Sequence, residues 1–331
     1  MNVMLLAAGE GTRLRPYTLT LPKPAIPFLT LPLAAHALAF LGKTPIDKLV
    51  VNTFHLPGKI HELFHSLSHG AKDLIFSDEV GEILGSGGGL SKARAHFIGG
   101  GHFVMMNADE VILPAEPDIL EKALAHHIES DALATLLVMN HAGVGTQFGG
   151  VWADSKNGVR GFGKASINGG NKGWHFVGVQ ILSERVFDYL PKEGVSNILY
   201  DALTAAIQNG EHVEAFPFEC SWFETGNPKD FLEASETCFE YLVAHQSCFQ
   251  KDALETRIKK YGKDQIQVRA RGTGKYIIAE SAKVDESAVI EGLLVAGPQS
   301  FIGPGSKLKN VIVNTNGSVP AGAEISDSIL L

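Results

Sequence analysis

Met4-Leu5-Leu6-Ala7-Ala8-Gly9-Glu10-Gly11-Thr12-Arg13-Leu14-Arg15-Pro16 is the stretch whose reading sets the fold class. Its apolar start, Val3–Ala8, reads as a buried strand that runs straight into a loop of small residues. Gly9 and Gly11 carry no Cβ, so the backbone can approach a ligand and its N–H groups can cradle phosphate oxygens. Arg13 and Arg15 add charge-assisted donors whose planar forks suit phosphate. A tight turn would explain the glycine pair alone; the arginines that follow point to a phosphate. Two familiar phosphate loops are excluded, because Leu14 stands where a third Rossmann glycine would be and no Gly-Lys-Ser/Thr follows. Further on, Lys23 lies between Pro22 and Pro24. That placement predicts an extended segment presenting the lysine rigidly to a polyphosphate.

Outward from this loop, short apolar runs alternate with helix-like segments. Val3–Ala8, Lys48–Asn52, Leu74–Ser77, His102–Met106 and Ala132–Val138 read as strands; Pro32–Leu41, Gly58–Leu67, Gly89–Ala95 and Pro117–Glu129 read as helices. The alternation predicts an α/β domain with a mostly parallel, Rossmann-like sheet, and ligands at the carboxyl ends of its strands. A helical stretch covers Lys229–Tyr261. Beyond it, Ile278, Val284, Ile290, Ala296, Ile302 and Leu308 fall six residues apart, and Val319, Ile325 and Leu331 resume that spacing after a slip. A hexapeptide repeat with glycine and alanine around it predicts a short parallel β-helix, taken here as left-handed. Three units are expected: a catalytic domain over 1–228, a helical linker over 229–262 and the β-helix over 263–331.

The 331 residues include 45% hydrophobic and 19% charged ones, ordinary for a folded soluble chain, and the formal net charge is −8. That charge argues against nucleic acid as a partner, since no basic surplus exists to neutralise phosphates. Cys220, Cys238 and Cys248 form no disulfide framework and no metal cluster, which suits a reducing cytoplasm. No apolar stretch approaches a membrane span, and Val3–Ala8 is too short for a signal peptide. A soluble, cytoplasmic protein is expected. The strand His102–Met106 leads to Asn107-Ala108-Asp109-Glu110, which places the Asp109 carboxylate where it would hold Mg²⁺ against phosphates.

Leu6-Ala7-Ala8-Gly9-Glu10-Gly11-Thr12-Arg13, with Pro16 and Pro22-Lys23-Pro24, closely resembles the signature of the sugar-phosphate nucleotidylyltransferases. That family includes GDP-mannose, glucose-1-phosphate and N-acetylmuramate-1-phosphate nucleotidylyltransferases. The resemblance implies that Ala7, Ala8, Gly9, Gly11 and Thr12 wrap the NTP phosphates, that Arg13 activates the α-phosphate and that Lys23 contacts the phosphates. Glu82-Ile83-Leu84-Gly85-Ser86-Gly87-Gly88-Gly89 resembles the family segment beneath the nucleoside, which assigns Glu82, Gly85, Gly87 and Gly88 to the nucleotide. Trp222-Phe223-Glu224-Thr225-Gly226-Asn227-Pro228 resembles a Trp-x-Asp-x-Gly-x-Pro pattern, with Glu224 in place of the second metal-binding aspartate. On the sugar side, Phe148-Gly149-Gly150-Val151 and Val159–Ala165 resemble a segment that ends in Glu-Lys-Pro in many members. Lys164 keeps the lysine, whereas Gly163 and Ala165 replace its neighbours. Trp174–Val179 resembles the sugar-facing strand, which adds Gly150, Lys164 and Gly178 as sugar-phosphate contacts. His175 reads equally as a hydroxyl donor or a structural histidine.

The implied reaction is in-line displacement at the α-phosphorus by an oxygen that is already anionic, so no general base is needed. NTP and a sugar-1-phosphate are the expected partners, with Mg²⁺ as cofactor and a homo-oligomer as the assembly. The C-terminal repeat is reminiscent of mannose-1-phosphate guanylyltransferases, and Gly87–Gly89 of N-acetylmuramate-1-phosphate uridylyltransferases. A non-catalytic subunit that senses nucleotide sugars is the reading of another class, motivated by Gly163 and Glu224. An acyltransferase role for the repeat is disfavoured, because no histidine follows His245.

Overall fold

The computed structural model describes residues 1–331. The chain begins with β1 (Asn2–Leu6), three 3₁₀ turns, and a hairpin of β2 (Pro27–Phe28) and β3 (Leu31–Pro32). α1 (Leu33–Phe40), β4 (Ile46–Thr53), α2 (Pro57–Ser66), β5 (Ala71–Asp78) and α3 (Gly85–Lys92) then alternate. β6 (His102–Asn107), β7 (Val111–Pro114), α4 (Ile119–Glu129) and β8 (Ala134–Met139) follow. The domain continues through β9 (Gly150–Ala153), β10 (Val159–Gly163), β11 (Lys172–Ser183), α5 (Thr204–Gln208), β12 (Val213–Pro217) and β13 (Cys220–Phe223).

The central sheet has nine strands. β5, β4, β1 and β6 lie side by side and parallel, so their carboxyl ends share one edge. β11 runs antiparallel to both β6 and β8, which brings its own middle to that same edge. Helices cover both faces. Ala34 and Leu38 of α1, Phe64 of α2 and Leu120 of α4 pack on one face, and Leu90 of α3 with Phe187 and Ala202 on the other. Apolar burial on two faces explains the near-continuous hydrophobic runs of β1 and β4.

The long helical stretch forms two helices, α6 (Pro228–Val243) and α7 (Phe249–Tyr261), separated at Ala244–Cys248. Asn227 caps α6 by accepting from the Asp230 N–H, with Pro228 at its first position. Arg257 of α7 is fully buried, donates to the Ile112 carbonyl of β7 and meets Nδ1 of His36 in α1 at 3.4 Å. Burial and the Arg257 charge push His36 down to about 3, so it stays neutral and accepts.

The remaining strands are β14 (Ile266–Arg271), β15 (Gly274–Ala279), β16 (Lys283–Val284), β17 (Val289–Ala296), β18 (Phe301–Ile302), β19 (Lys307–Val313), β20 (Ser318–Val319) and β21 (Glu324–Leu330). They stack as a five-stranded and a three-stranded sheet, parallel except where β14 covers β15. The first turn of chain is 18 residues long, pairing Ile278 with Ala296 and Val284 with Ile302. The next turns are 17 long at Ala296–Val313 and Val313–Leu330. That shortening is the slip in the repeat, and it corrects the inward residue at the end. Leu330 stacks beneath Val313, while Leu331 is exposed.

The stacked strands also reach the N-terminal loop. Ile277, Val295, Ile312 and Ile329 share one core with Phe231 and Phe239 of α6 and with Leu14, Ile26 and Phe28. Tyr17 Oη accepts from the Ile329 N–H at 3.4 Å. The phosphate loop is thus buttressed by the C-terminal strands through Leu14, which is completely buried. Leu14→Ala is expected to cost about 3 kcal/mol by the cavity it leaves, read as a lowered urea midpoint with unchanged slope.

Candidate active site

The carboxyl edge of the sheet opens into a cavity of about 410 Å³, of a size to hold a nucleotide. Its lining includes Ala7, Ala8, Gly9, Gly11, Thr12, Arg13, Lys23, Gly85 and Asp109, nine of the expected site residues. The two loop glycines act differently. A Cβ on Gly9 would meet nothing within 4 Å, so its backbone lies open to a ligand. Gly11 has φ +60°, and a Cβ there would press on Thr18 at 2.8 Å, so the fold itself demands glycine.

Lys23 is not on an extended segment. Pro22 is extended, but Lys23–Ala25 forms a single 3₁₀ turn. Proline is tolerated in a first turn because its missing N–H is unused there, so Pro24 starts this turn instead of preventing it. Lys23 Nζ lies 2.7 Å from Asp109 Oδ2. Burial works against the ammonium, but the Asp109, Glu110 and Glu224 carboxylates outweigh it and hold Lys23 above its ordinary value. Arg13 is far more open: its side chain is 67% exposed, with Glu224 Oε1 at 3.7 Å.

Three carboxylates therefore converge on Lys23. Asp109 follows β6, where the Ala108 N–H donates to the Leu6 carbonyl, and Glu224 follows β13. β13 pairs with β7, Phe223 opposite Val111, so the segments bearing the two acids are zipped together. Between them sits Glu110, whose carboxylate accepts from Asn107 Nδ2 and Trp222 Nε1, both at 2.8 Å. Burial, then the neighbouring Asp109 charge, pushes Glu110 up to about 7. Carboxylate oxygens are the donors a hard divalent cation takes, but no three acidic, histidine or cysteine side chains stand close enough together here to hold one without further ligands.

The nucleoside segment is arranged differently from the expectation. Glu82 is exposed and is not among the cavity's lining residues. The buried glutamate here is Glu79, which accepts from Asn52 Nδ2 and from the Leu84 N–H, both at 2.7 Å. Asn52 Oδ1 accepts in turn from the Ala7 N–H at 2.8 Å, so one amide ties the base segment to the phosphate loop. Gly87 and Gly88 do not line the cavity either. Both N–H groups donate to the Ser196 carbonyl, and the space their absent Cβ atoms leave is filled by Gly194–Ser196. Close helix-to-loop packing is what makes α3 glycine-rich and carries it four residues ahead of the predicted start, despite poor helix propensity.

A second cavity of about 320 Å³ adjoins the first, sharing Leu6, Ser86 and Asn107. Gly178 lines it with φ +79°, and a Cβ there would collide with Glu110 and Asn107. Lys164 and Gly150 line neither cavity. Lys164 is exposed just after β10, and Gly150 is buried opposite Gly163 in the β9–β10 pair. His175 is buried within an aromatic group of Phe148, His141 and Trp222, with no hydrogen-bond partner for either ring nitrogen. Burial, then the His141 charge, pushes it down to about 4, which fits the structural alternative. Asn52, Glu79 and Asn107 were missed as site residues, although Asn52 and Asn107 stand at strand carboxyl ends, where the parallel-sheet rule points.

Residues 2–240 match the family model described as nucleotidyl transferase. A UTP–glucose-1-phosphate uridylyltransferase of Synechocystis sp. is 25% identical, over 100% of this chain and 87% of that protein. A mannose-1-phosphate guanylyltransferase of Mycobacterium tuberculosis is 24% identical, over 98% of this chain and 83% of its own length. In fold, the chain is similar to the crystal structure of a UDP-glucose pyrophosphorylase complexed with UDP-glucose. That match has a TM-score of 0.60 at 19% identity and covers 72% of this chain and 98% of the other. No helix here is long and apolar enough to cross a membrane. The chain belongs to the nucleotidyl transferase family, as one of its sugar-1-phosphate nucleotidylyltransferases.

Proposed function

We propose that this enzyme joins a nucleoside monophosphate from an NTP to a hexose-1-phosphate in the manner of the mannose-1-phosphate guanylyltransferases. The observation that carries the reading is the pair of adjoining cavities, with Arg13, Lys23 and Asp109 all in the nucleotide-sized one. The NTP occupies the larger cavity and the sugar ring the smaller, so the two phosphates meet near Asn107. An oxygen of the sugar phosphate attacks the α-phosphorus, forming the new P–O bond. The bond from that phosphorus to the β-phosphate oxygen breaks, and pyrophosphate leaves. Arg13 and Lys23 neutralise charge that builds on the α-phosphate oxygens, and the pre-set loop holds the reactants in line. Asp109 and Glu224 would hold Mg²⁺, which supplies Lewis-acid charge neutralisation when bound. Lys164, on its exposed loop, reaches the sugar phosphate only if that loop moves inward.

The stacked C-terminal strands are read as a short left-handed parallel β-helix that braces the catalytic unit of residues 1–228 through the helical linker. The free cysteines suit a reducing cytoplasm. A uridylyltransferase using glucose-1-phosphate is the second reading, favoured by the full-length similarity to the Synechocystis protein. Pyrophosphate release with Mg²⁺, measured over the common NTPs and sugar-1-phosphates, separates the two. GTP with mannose-1-phosphate is expected to exceed every other pair by at least about tenfold. UTP with glucose-1-phosphate in first place would replace the first reading by the second.

A further inference from the structure

Phe176, Gly178 and Gln180 of β11 all line the smaller cavity, across an irregularity in the strand at Gly178. Gln180 is the unexplained member. It is only 2% exposed, yet its Oε1 has no hydrogen-bond partner in the protein. A buried amide oxygen left unpaired is costly, and such groups are normally satisfied. Its apolar neighbours Met105, Met106, Phe176 and Leu199 offer no side-chain N–H or O–H. Asn107 donates one amide N–H to Glu110, while Asn197 and Ser86 accept from backbone N–H groups and keep their own N–H and O–H hydrogens, yet none of the three is hydrogen-bonded to Gln180 Oε1. None of the 11 lining residues is charged.

We propose that Gln180 is the specificity-determining residue of the sugar subsite, where its amide takes one ring hydroxyl and the uncharged lining restricts the acceptor to neutral hexose-1-phosphates. This rests on the two-cavity reading of the reaction. A site built to bond a hydroxyl strongly rejects the analogue lacking it, because its own buried polar group is then left unpaired. A carboxylate or ammonium on the sugar would enter a pocket with no opposite charge, and burying an unpaired charge is prohibitive. A deoxysugar is thus excluded by the amide it leaves unpaired, and a hexuronate or lactyl-bearing amino sugar by the uncharged lining, in both cases by chemistry and not by size.

The test is a two-way comparison of protein variant and substrate. Pyrophosphate release is measured for wild type and Gln180→Met, with Gln180→Leu as a second apolar form. Substrates are the preferred hexose-1-phosphate, its monodeoxy analogues and the matching hexuronic acid 1-phosphate. Wild type is expected to lose about 10²-fold or more in kcat/KM on one particular deoxy analogue, and at least as much on the hexuronate. Gln180→Met is expected to lose a similar factor on the parent sugar, to treat that one deoxy analogue and the parent alike, and to leave KM for NTP within about twofold. A variant that slows all sugars equally, with the deoxy preference intact, overturns the assignment of Gln180. So does efficient turnover of the hexuronate by wild type. Wild type inert with every sugar phosphate would overturn the reaction reading itself, and the inference with it.

Discussion

Arg13→Ala is expected to lower kcat by about 10²–10³-fold, while KM for the NTP rises by less than about threefold. The structure makes this a clean experiment. The Arg13 side chain is 67% exposed and its acidic partner, Glu224, is 3.7 Å away, so little folding free energy is at stake. On the proposed reading, ground-state phosphate binding is shared with backbone N–H groups around Gly9 and with Lys23, which remain in the variant. What would disappear is an exposed cation able to meet charge on the α-phosphate oxygens as the bond to the leaving group breaks. Arg13→Lys, which keeps charge but loses the planar fork, should recover only part of the loss. Steady-state kinetics over both substrates decides it. An unchanged kcat with a raised NTP KM would make Arg13 a binding residue only.

The parallel half of the fold was legible because β1, β4 and β6 are buried on both faces and read as unbroken apolar runs. What a run cannot convey is strand order, so the antiparallel placement of β11, which brings Gly178 and Gln180 to the active edge, was not readable. The clustering of Gly9, Thr12 and Arg13 on one cavity was legible for a related reason, since their neighbours in sequence are their neighbours in space. The nucleoside segment misled because its glycines meet the protein itself, 194–196, far away in sequence. The sequence points to Glu82 as a nucleotide contact, whereas Glu79, three residues earlier, is the one buried against Asn52. Local composition cannot tell which of two nearby carboxylates faces inward when no helical or strand period links them. The hexapeptide spacing was legible until the chain shortened its turn by one residue, after which Leu330, not Leu331, falls inside.

The C-terminal strands reach the cavity-lining loop through a shared core and one hydrogen bond. Leu14 belongs to the same core as Ile277, Val295, Ile312 and Ile329, and it lies one residue after Arg13. A loop that must keep glycine N–H groups aimed at phosphates loses its aim if its anchor moves by even an ångström. The buried Arg257 serves the opposite wall. By donating to the Ile112 carbonyl it fixes β7, which holds β13 and so the approach to Glu224. Both walls of the larger cavity's entrance are thus packed against elements that follow the α/β domain.

Asp109→Asn is expected to lower Mg²⁺-supported turnover by about 10³-fold or more, because it strikes two cations at once. The amide is a far weaker ligand for a hard divalent ion than the carboxylate, and Glu224 cannot restore the missing charge from its place after β13. Lys23 is affected as well. Burial depresses its ammonium, and among the carboxylates that offset this, Asp109 contributes most and is hydrogen-bonded to it. Without that charge the Lys23 value moves down, so the cation is retained only at lower pH than in the wild type. The residual activity of the variant should therefore fall off at a lower alkaline pH than wild-type activity. The measurement is a pH–rate profile for both proteins at saturating Mg²⁺ and at several sub-saturating concentrations. Loss of turnover with a raised Mg²⁺ requirement and a shifted alkaline limb supports Asp109 in both roles. A raised Mg²⁺ requirement with an unmoved limb would leave it a metal ligand and remove its hold on Lys23. Wild-type turnover in the variant would remove Asp109 from the chemistry and leave Glu224 and Glu110 as the acids to change next.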